Sequence, residues 1–128
     1  MSIDPDVRTT ILPNGLRIAT APMPGFRTVA ISAYLRVGSR DEPALLNGLS
    51  HFFEHMVFKG TPNRTALDVN LHFDRIGASY NTYTSEEATV YYASVLPEYL
   101  PKAIDILADI LRPSLREADF DTEKQVIL

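Results

Sequence analysis

Two imidazoles and a carboxylate fall within five residues of this chain, in the run His51-Phe52-Phe53-Glu54-His55. On an α-helix, residues i and i+4 share a face one turn apart, so His51 and His55 can each turn a ring nitrogen toward one metal ion. Zinc suits such a pair. It takes neutral imidazole at about 2.0–2.1 Å, and its catalytic sites usually hold three protein ligands and one water. Glu54, directly before the second histidine, projects beside the same face and can take a proton from that water, whose pKa a zinc ion lowers toward about 7. The chemistry on offer is hydrolysis. Spacing alone leaves open a plainer alternative, in which the histidines belong to a solvated helix face and bind no metal.

The first reading requires a helix. With His51 set at 0° and about 100° added per residue, Leu45, Leu46, Leu49, Phe52, Phe53, Met56 and Val57 fall between roughly 100° and 240°. His51, Glu54 and His55 gather at the opposite pole with Asn47 and Gly48. A helix running to about Phe58 is therefore expected, its apolar stripe against the core and its histidines off the core face.

The chain must also supply the rest of any site from a restricted set of residues. Its 128 residues include no cysteine, so a metal centre has to use histidine and carboxylate. A hydrophobic content of 45% suits one globular domain, residues 1–128, large enough for a single core. The net charge of −4 argues against nucleic acid or an anionic membrane as the main partner. There is no apolar run long enough for membrane insertion and no basic-then-apolar leader. Cytoplasmic residence is the simplest expectation, with the mitochondrial matrix or periplasm following if a leader has been removed.

Along the chain, Pro13-Asn14-Gly15 between apolar runs predicts a hairpin of 9–12 with 16–21. Val29, Ile31, Ala33, Leu35 and Val37 alternate with polar or small residues, as on a half-buried strand. Gly38 to Pro43 is polar loop, and Gly60, Pro62 and Asn63 close the motif helix. Thr65 caps a second helix over about 66–76, ended by Gly77. Residues 78–84 and 89–96 form a second hairpin around Ser85-Glu86-Glu87. Leu100, Ile104, Leu107 and Leu111 mark a third helix, and Ser114 with Glu117 has the capping-box pattern that would open a fourth. His72 has no partner at ligand spacing and is expected on the surface, while at least one of Tyr91 and Tyr92 is expected in the core. Strands and helices in this order predict a mixed, layered α+β domain.

The stretch Gly48-Leu49-Ser50-His51-Phe52-Phe53-Glu54-His55-Met56-Val57-Phe58-Lys59-Gly60-Thr61, with Arg64 after it, resembles the signature of the inverted zinc peptidases, the pitrilysin and insulinase group, whose motif is His-x-x-Glu-His. Within that group the chain looks like the branch of the mitochondrial processing peptidase β subunit and its bacterial homologues. The likeness runs from Leu12-Pro13-Asn14-Gly15-Leu16-Arg17 through Asn81-Thr82-Tyr83-Thr84-Ser85-Glu86-Glu87 and Tyr91-Tyr92 to Glu123-Lys124-Gln125-Val126-Ile127-Leu128.

That resemblance implies a mostly antiparallel sheet with helices packed on it, as the incomplete N-terminal part of one catalytic half-domain. It implies a zinc metalloendopeptidase acting on peptide or presequence-like substrates, with His51 and His55 as metal ligands and Glu54 as the catalytic base. Glu123 matches a family glutamate that supports the metal site, and Asn81 and Tyr83 lie on a strand that binds substrate by edge addition. The third Zn2+ ligand is expected near residues 126–136. Val126, Ile127 and Leu128 cannot serve, so it is expected beyond Leu128. With no stop signal before Leu128, the chain is expected to be a fragment cut within its last helix and inactive or nearly so by itself. Its expected partners are a second half-domain, on the same chain or on a partner subunit, and a second copy of itself through exposed Val126, Ile127 and Leu128. A noncatalytic partner or scaffold subunit is the alternative role within the family.

Overall fold

Residues 6–127 are described by the computed structural model. Strands β1 (Arg8–Ile11) and β2 (Arg17–Thr20) pair antiparallel, from Arg8 opposite Thr20 to Ile11 opposite Arg17. Their turn is built as the Asn-Gly pair predicts. Gly15 takes a φ of 87°, open to glycine at little cost, and the Asn14 side-chain oxygen accepts the Leu16 amide. Among the described residues this hairpin is a two-stranded sheet of its own.

The larger sheet joins β3 (Val29–Leu35), β4 (Ser79–Thr84) and β5 (Thr89–Val95) in the order β3-β5-β4, both pairings antiparallel. β5 is central and nearly all buried. In β3 the alternation shows as half-buried Val29, Ile31, Ala33 and Leu35 between exposed neighbours. Among the described residues four α-helices accompany the sheet: α1 (Leu49–Val57), α2 (Ala66–Arg75), α3 (Leu100–Ile110) and α4 (Glu117–Ile127). The core gathers Val57 of α1, Val69 and Phe73 of α2, Tyr91 and Val95 of β5, and Ile106 and Ile110 of α3. The Phe73 ring stacks on Tyr80 with centroids 4.1 Å apart. Thr65 caps α2 as expected, accepting from the Asp68 amide while the Asp68 carboxylate accepts from the Thr65 amide.

Two helix starts need correction. The motif helix begins at Leu49, later than the apolar stripe implies, because Gly48 takes a left-handed φ of 93° and residues 44–46 form only a 3₁₀ turn. Leu45 is 97% exposed in consequence, and Leu46, Leu49 and Phe53 are also exposed. Of the stripe, Met56 and Val57 are buried and Phe52 is half-buried. The fourth helix starts at Glu117, since Leu115 has a φ of 49° and the Ser114 amide is spent on the Gly60 carbonyl at 3.0 Å. Leu128, one of the three residues expected to favour self-association, lies outside the described residues. Val126 of that trio is exposed.

Candidate metal centre

The start of α1 is held from a distance. The Glu42 carboxylate accepts the amides of Gly48 at 2.6 Å and Ser50 at 2.7 Å, meeting donors that a helix N-terminus leaves unpaired. Those two backbone bonds keep the Glu42 carboxyl below its ordinary pKa. Downstream, α1 packs on α4 through an edge-to-face contact of Phe52 with Phe120 at 4.9 Å, and its histidine face meets α4 and β4. The polar face is therefore only partly solvated. Glu54 is buried, His55 half-buried and His51 exposed.

His51 and His55 point their Nε2 atoms at each other, 3.1 Å apart. Two nitrogens each about 2.05 Å from a tetrahedral zinc would stand about 3.3 Å apart, so the pair fits that ion with a small adjustment. Ligand atoms of His51, Glu54 and His55 all lie within 4.8 Å of one another. The other ring nitrogen of His55, Nδ1, is 2.7 Å from Glu123 Oε1, and Glu123 Oε2 is 2.7 Å from Lys59 Nζ. A hydrogen bond from Lys59 holds the Glu123 carboxyl below the usual range, against the opposing effect of burial and with help from His55. An ionised carboxylate can only accept, so His55 carries its proton on Nδ1 and presents the Nε2 lone pair. His51 Nε2 then donates across the 3.1 Å gap, and must give up that proton to bind a metal.

Thr84 of β4 donates its hydroxyl to Glu54 Oε2. The alternation of β4 explains the contact. Tyr80, Thr82 and Thr84 share the face toward α1 and the core, whereas Asn81 and Tyr83 belong to the other, exposed face. An open cleft of about 440 Å³ beside the site is lined by Glu54, His55, Lys59, Tyr80, Asn81 and Glu123, among others. Asn81 reaches its rim, with its side-chain oxygen accepting the Thr82 amide. Tyr83 does not line the cleft and sits with its ring 6.4 Å from Tyr92. The structure thus gathers His51, Glu54, His55, Glu123 and Asn81 and leaves Tyr83 apart.

Lys59 and Thr84 belong to this cluster but were not singled out from the sequence. Lys59 had a readable signal as a cation just past the C-terminus of a helix and four residues after His55. Thr84 had only its strand face. Tyr91 is wholly buried in the core, and its hydroxyl has no hydrogen-bond partner among the described residues. Burial, assisted by the nearby Glu54 charge, pushes its pKa to about 12. His72, expected on the surface, is half-buried and accepts at Nδ1 from Arg64 Nε at 2.9 Å.

An α+β domain with a His-x-x-Glu-His helix beside an edge strand defines a class of metallopeptidase-like domains, and comparison with known proteins narrows it. Residues 17–128 match the family described as insulinase, peptidase family M16. The chain is 47% identical over 123 residues to an uncharacterized zinc protease of Streptomyces coelicolor, covering 95% of this chain and 27% of that protein. It is 46% identical over 125 residues to the mitochondrial-processing peptidase subunit beta of Saccharomyces cerevisiae, covering 97% and 27%. In three dimensions it is similar to a protease from Helicobacter pylori, with a TM-score of 0.91, 29% identity and coverage of 95% and 30%. It is also similar to pitrilysin, with a TM-score of 0.83, 26% identity and coverage of 96% and 13%. The chain belongs to the insulinase family of zinc peptidases. It spans about a quarter of the length of the curated relatives it matches.

Proposed function

We propose that this chain holds the metal-binding and water-activating part of a zinc metalloendopeptidase acting on peptide or presequence-like segments. The observation that supports this most is the convergence of the His51 and His55 Nε2 atoms at 3.1 Å beside the buried Glu54 carboxylate. Zinc, when bound there, would polarise the scissile carbonyl and make the attacking water more acidic. Glu54 takes that water's proton and returns it to the leaving amine. Thr84 holds Glu54 Oε2, which leaves Oε1 to accept the proton. Glu123 fixes the His55 tautomer. A third ligand comes from a carboxylate outside the 128 residues.

Substrate approaches β4, an edge strand among the described residues, and adds to it in extended form with backbone hydrogen bonds. Asn81, on the rim of the adjoining cleft, contacts that strand. Tyr83, which does not line that cleft, contributes less. A second half-domain closes the other side of the site, as the short coverage of the relatives supports.

The test is Glu54→Gln in the full-length parent protein. Loss of a general base should slow peptide hydrolysis by about 10²–10⁴-fold while bound zinc stays near one equivalent. Unchanged hydrolysis would remove Glu54 from the mechanism. A parent protein with zinc but no peptidase activity even before substitution would favour the noncatalytic partner role instead.

A further inference from the structure

Lys59 lies just beyond α1, forms no hydrogen bond to either imidazole, and yet ends a chain of contacts that starts at the metal site. Its ammonium is 2.7 Å from Glu123 Oε2, and the other oxygen of the same carboxylate is 2.7 Å from His55 Nδ1. The Glu123 side chain is only 3% exposed. A carboxylate so enclosed needs a partner on each oxygen, since a buried polar atom left unpaired is costly. His55 donates one hydrogen bond, and Lys59 supplies the only full charge paired with Glu123 among the described residues.

The backbone of Lys59 is fixed as well. Its amide donates to the Met56 carbonyl at 3.1 Å, and its carbonyl accepts from Arg116 Nη2 at 2.9 Å, while the same guanidinium pairs with Asp119 at 2.8 Å. Lys59 is thereby tied at one end to the helix of the histidines and at the other to the helix of Glu123.

We propose that Lys59 is a positioning residue of the metal centre, which holds Glu123 Oε2 so that Oε1 fixes the His55 ring with Nε2 turned toward His51. This rests on the zinc reading above. Without Lys59 the carboxylate loses its partner on Oε2 and can swing away, and His55 loses the contact that selects its tautomer. Outer partners of this kind commonly change metal affinity by about 10–100-fold.

The experiment uses the 128-residue chain in wild-type, K59M, K59R and E123Q forms. Zinc affinity is read by competition with a chromophoric chelator, and the His55 tautomer by 15N NMR of the metal-free protein. K59M should bind zinc about 10–100-fold more weakly than wild type, as should E123Q. K59R should recover most of the affinity, and K59M should lose the Nδ1-protonated His55 signal that wild type and K59R keep. Equal zinc affinity and an unchanged His55 tautomer in K59M would overturn the proposal. If the wild-type chain takes up no zinc for want of the third ligand, the tautomer comparison alone decides whether Lys59 positions His55. If K59M does not fold, K59Q replaces it in both measurements.

Discussion

Arg64 offers the sharpest test of how the loop behind the metal site is held. Its guanidinium donates to Asp109 Oδ2 at 2.7 Å, to Asp105 Oδ2 at 2.6 Å and to His72 Nδ1 at 2.9 Å, tying residues 61–64 to α2 and α3. The two carboxylates are not equivalent. The Arg64 and Asp109 side chains are 14% and 10% exposed, whereas Asp105 is 71% exposed. Removing one member of a buried pair costs about 3–5 kcal/mol, while an exposed pair is worth about 0–1 kcal/mol. Arg64→Met should therefore destabilise the chain by about 3–5 kcal/mol, and Asp105→Asn by less than about 1 kcal/mol. For a domain of this size the first would lower Tm on the order of 10–20 °C.

Asp109 also gives the effect a pH signature. Burial raises its pKa, but hydrogen bonds from Thr61, Asn63 and Arg64 outweigh this and leave it below the ordinary value. The unfolded chain then binds the proton first as pH falls. The stabilisation is complete above the unfolded pKa of about 4 and is lost as pH drops through the lower folded value. Urea titrations followed by circular dichroism, run from neutral pH downward, would measure both effects. If Arg64→Met cost no more than Asp105→Asn, or if the difference persisted at the lowest pH, the assignment of a buried ion pair to Arg64 and Asp109 would be wrong.

Gly60 has a φ of 120°, and a Cβ there would lie 2.9 Å from the Arg64 carbonyl oxygen, so Gly60→Ala should cost about 1–3 kcal/mol in the same titration. Tyr91→Phe removes a buried hydroxyl that has no partner among the described residues and should be neutral or stabilising by up to about 2 kcal/mol. A loss above about 1 kcal/mol would show that the hydroxyl is bonded after all. Glu42→Gln should lower the helical signal of α1 and weaken zinc binding without abolishing it. Unchanged amide exchange at Gly48 and Ser50 in that variant would contradict the capping role of Glu42.

What was legible in the sequence depended on local physics. Asn14-Gly15 can hardly be other than a tight turn, the alternation of β3 shows its buried face, and Thr65 with Asp68 closes its own helix start within four residues. The His51, Glu54, His55 cluster was legible because its geometry is helical spacing and little else. Where partners lie far apart in sequence, the same reasoning had nothing to grip. Glu42 starts α1 across an intervening turn, Thr84 reaches Glu54 from another strand, and Lys59 meets Glu123 only because α4 crosses α1. The misplaced helix starts have the same cause. Gly48 was read by its place on a helical wheel, and Ser114 as a cap, when tertiary hydrogen bonds assigned both their backbones elsewhere.

The clasp of Glu42 on α1 reaches further than one helix end. Glu42 follows the turn 39–41, whose Ser39 and Arg40 amides bond to the Ser85 and Glu86 carbonyls at the tip between β4 and β5. Gly38 lies so close to that tip that an added Cβ would fall 2.4 Å from the Ser85 oxygen. The tip leads back along β4 to Thr84, and Thr84 returns to Glu54 on α1. These links close a ring of struts with α1 as one side, braced at its start and again at mid-length. Such a frame resists tilting in the way a triangle does, whereas a helix fixed at one end could pivot like a hinge. The bearing of His51, Glu54 and His55 is then set by the whole circuit, and lengthening the segment between Gly38 and Gly48 by even one residue would skew all three together.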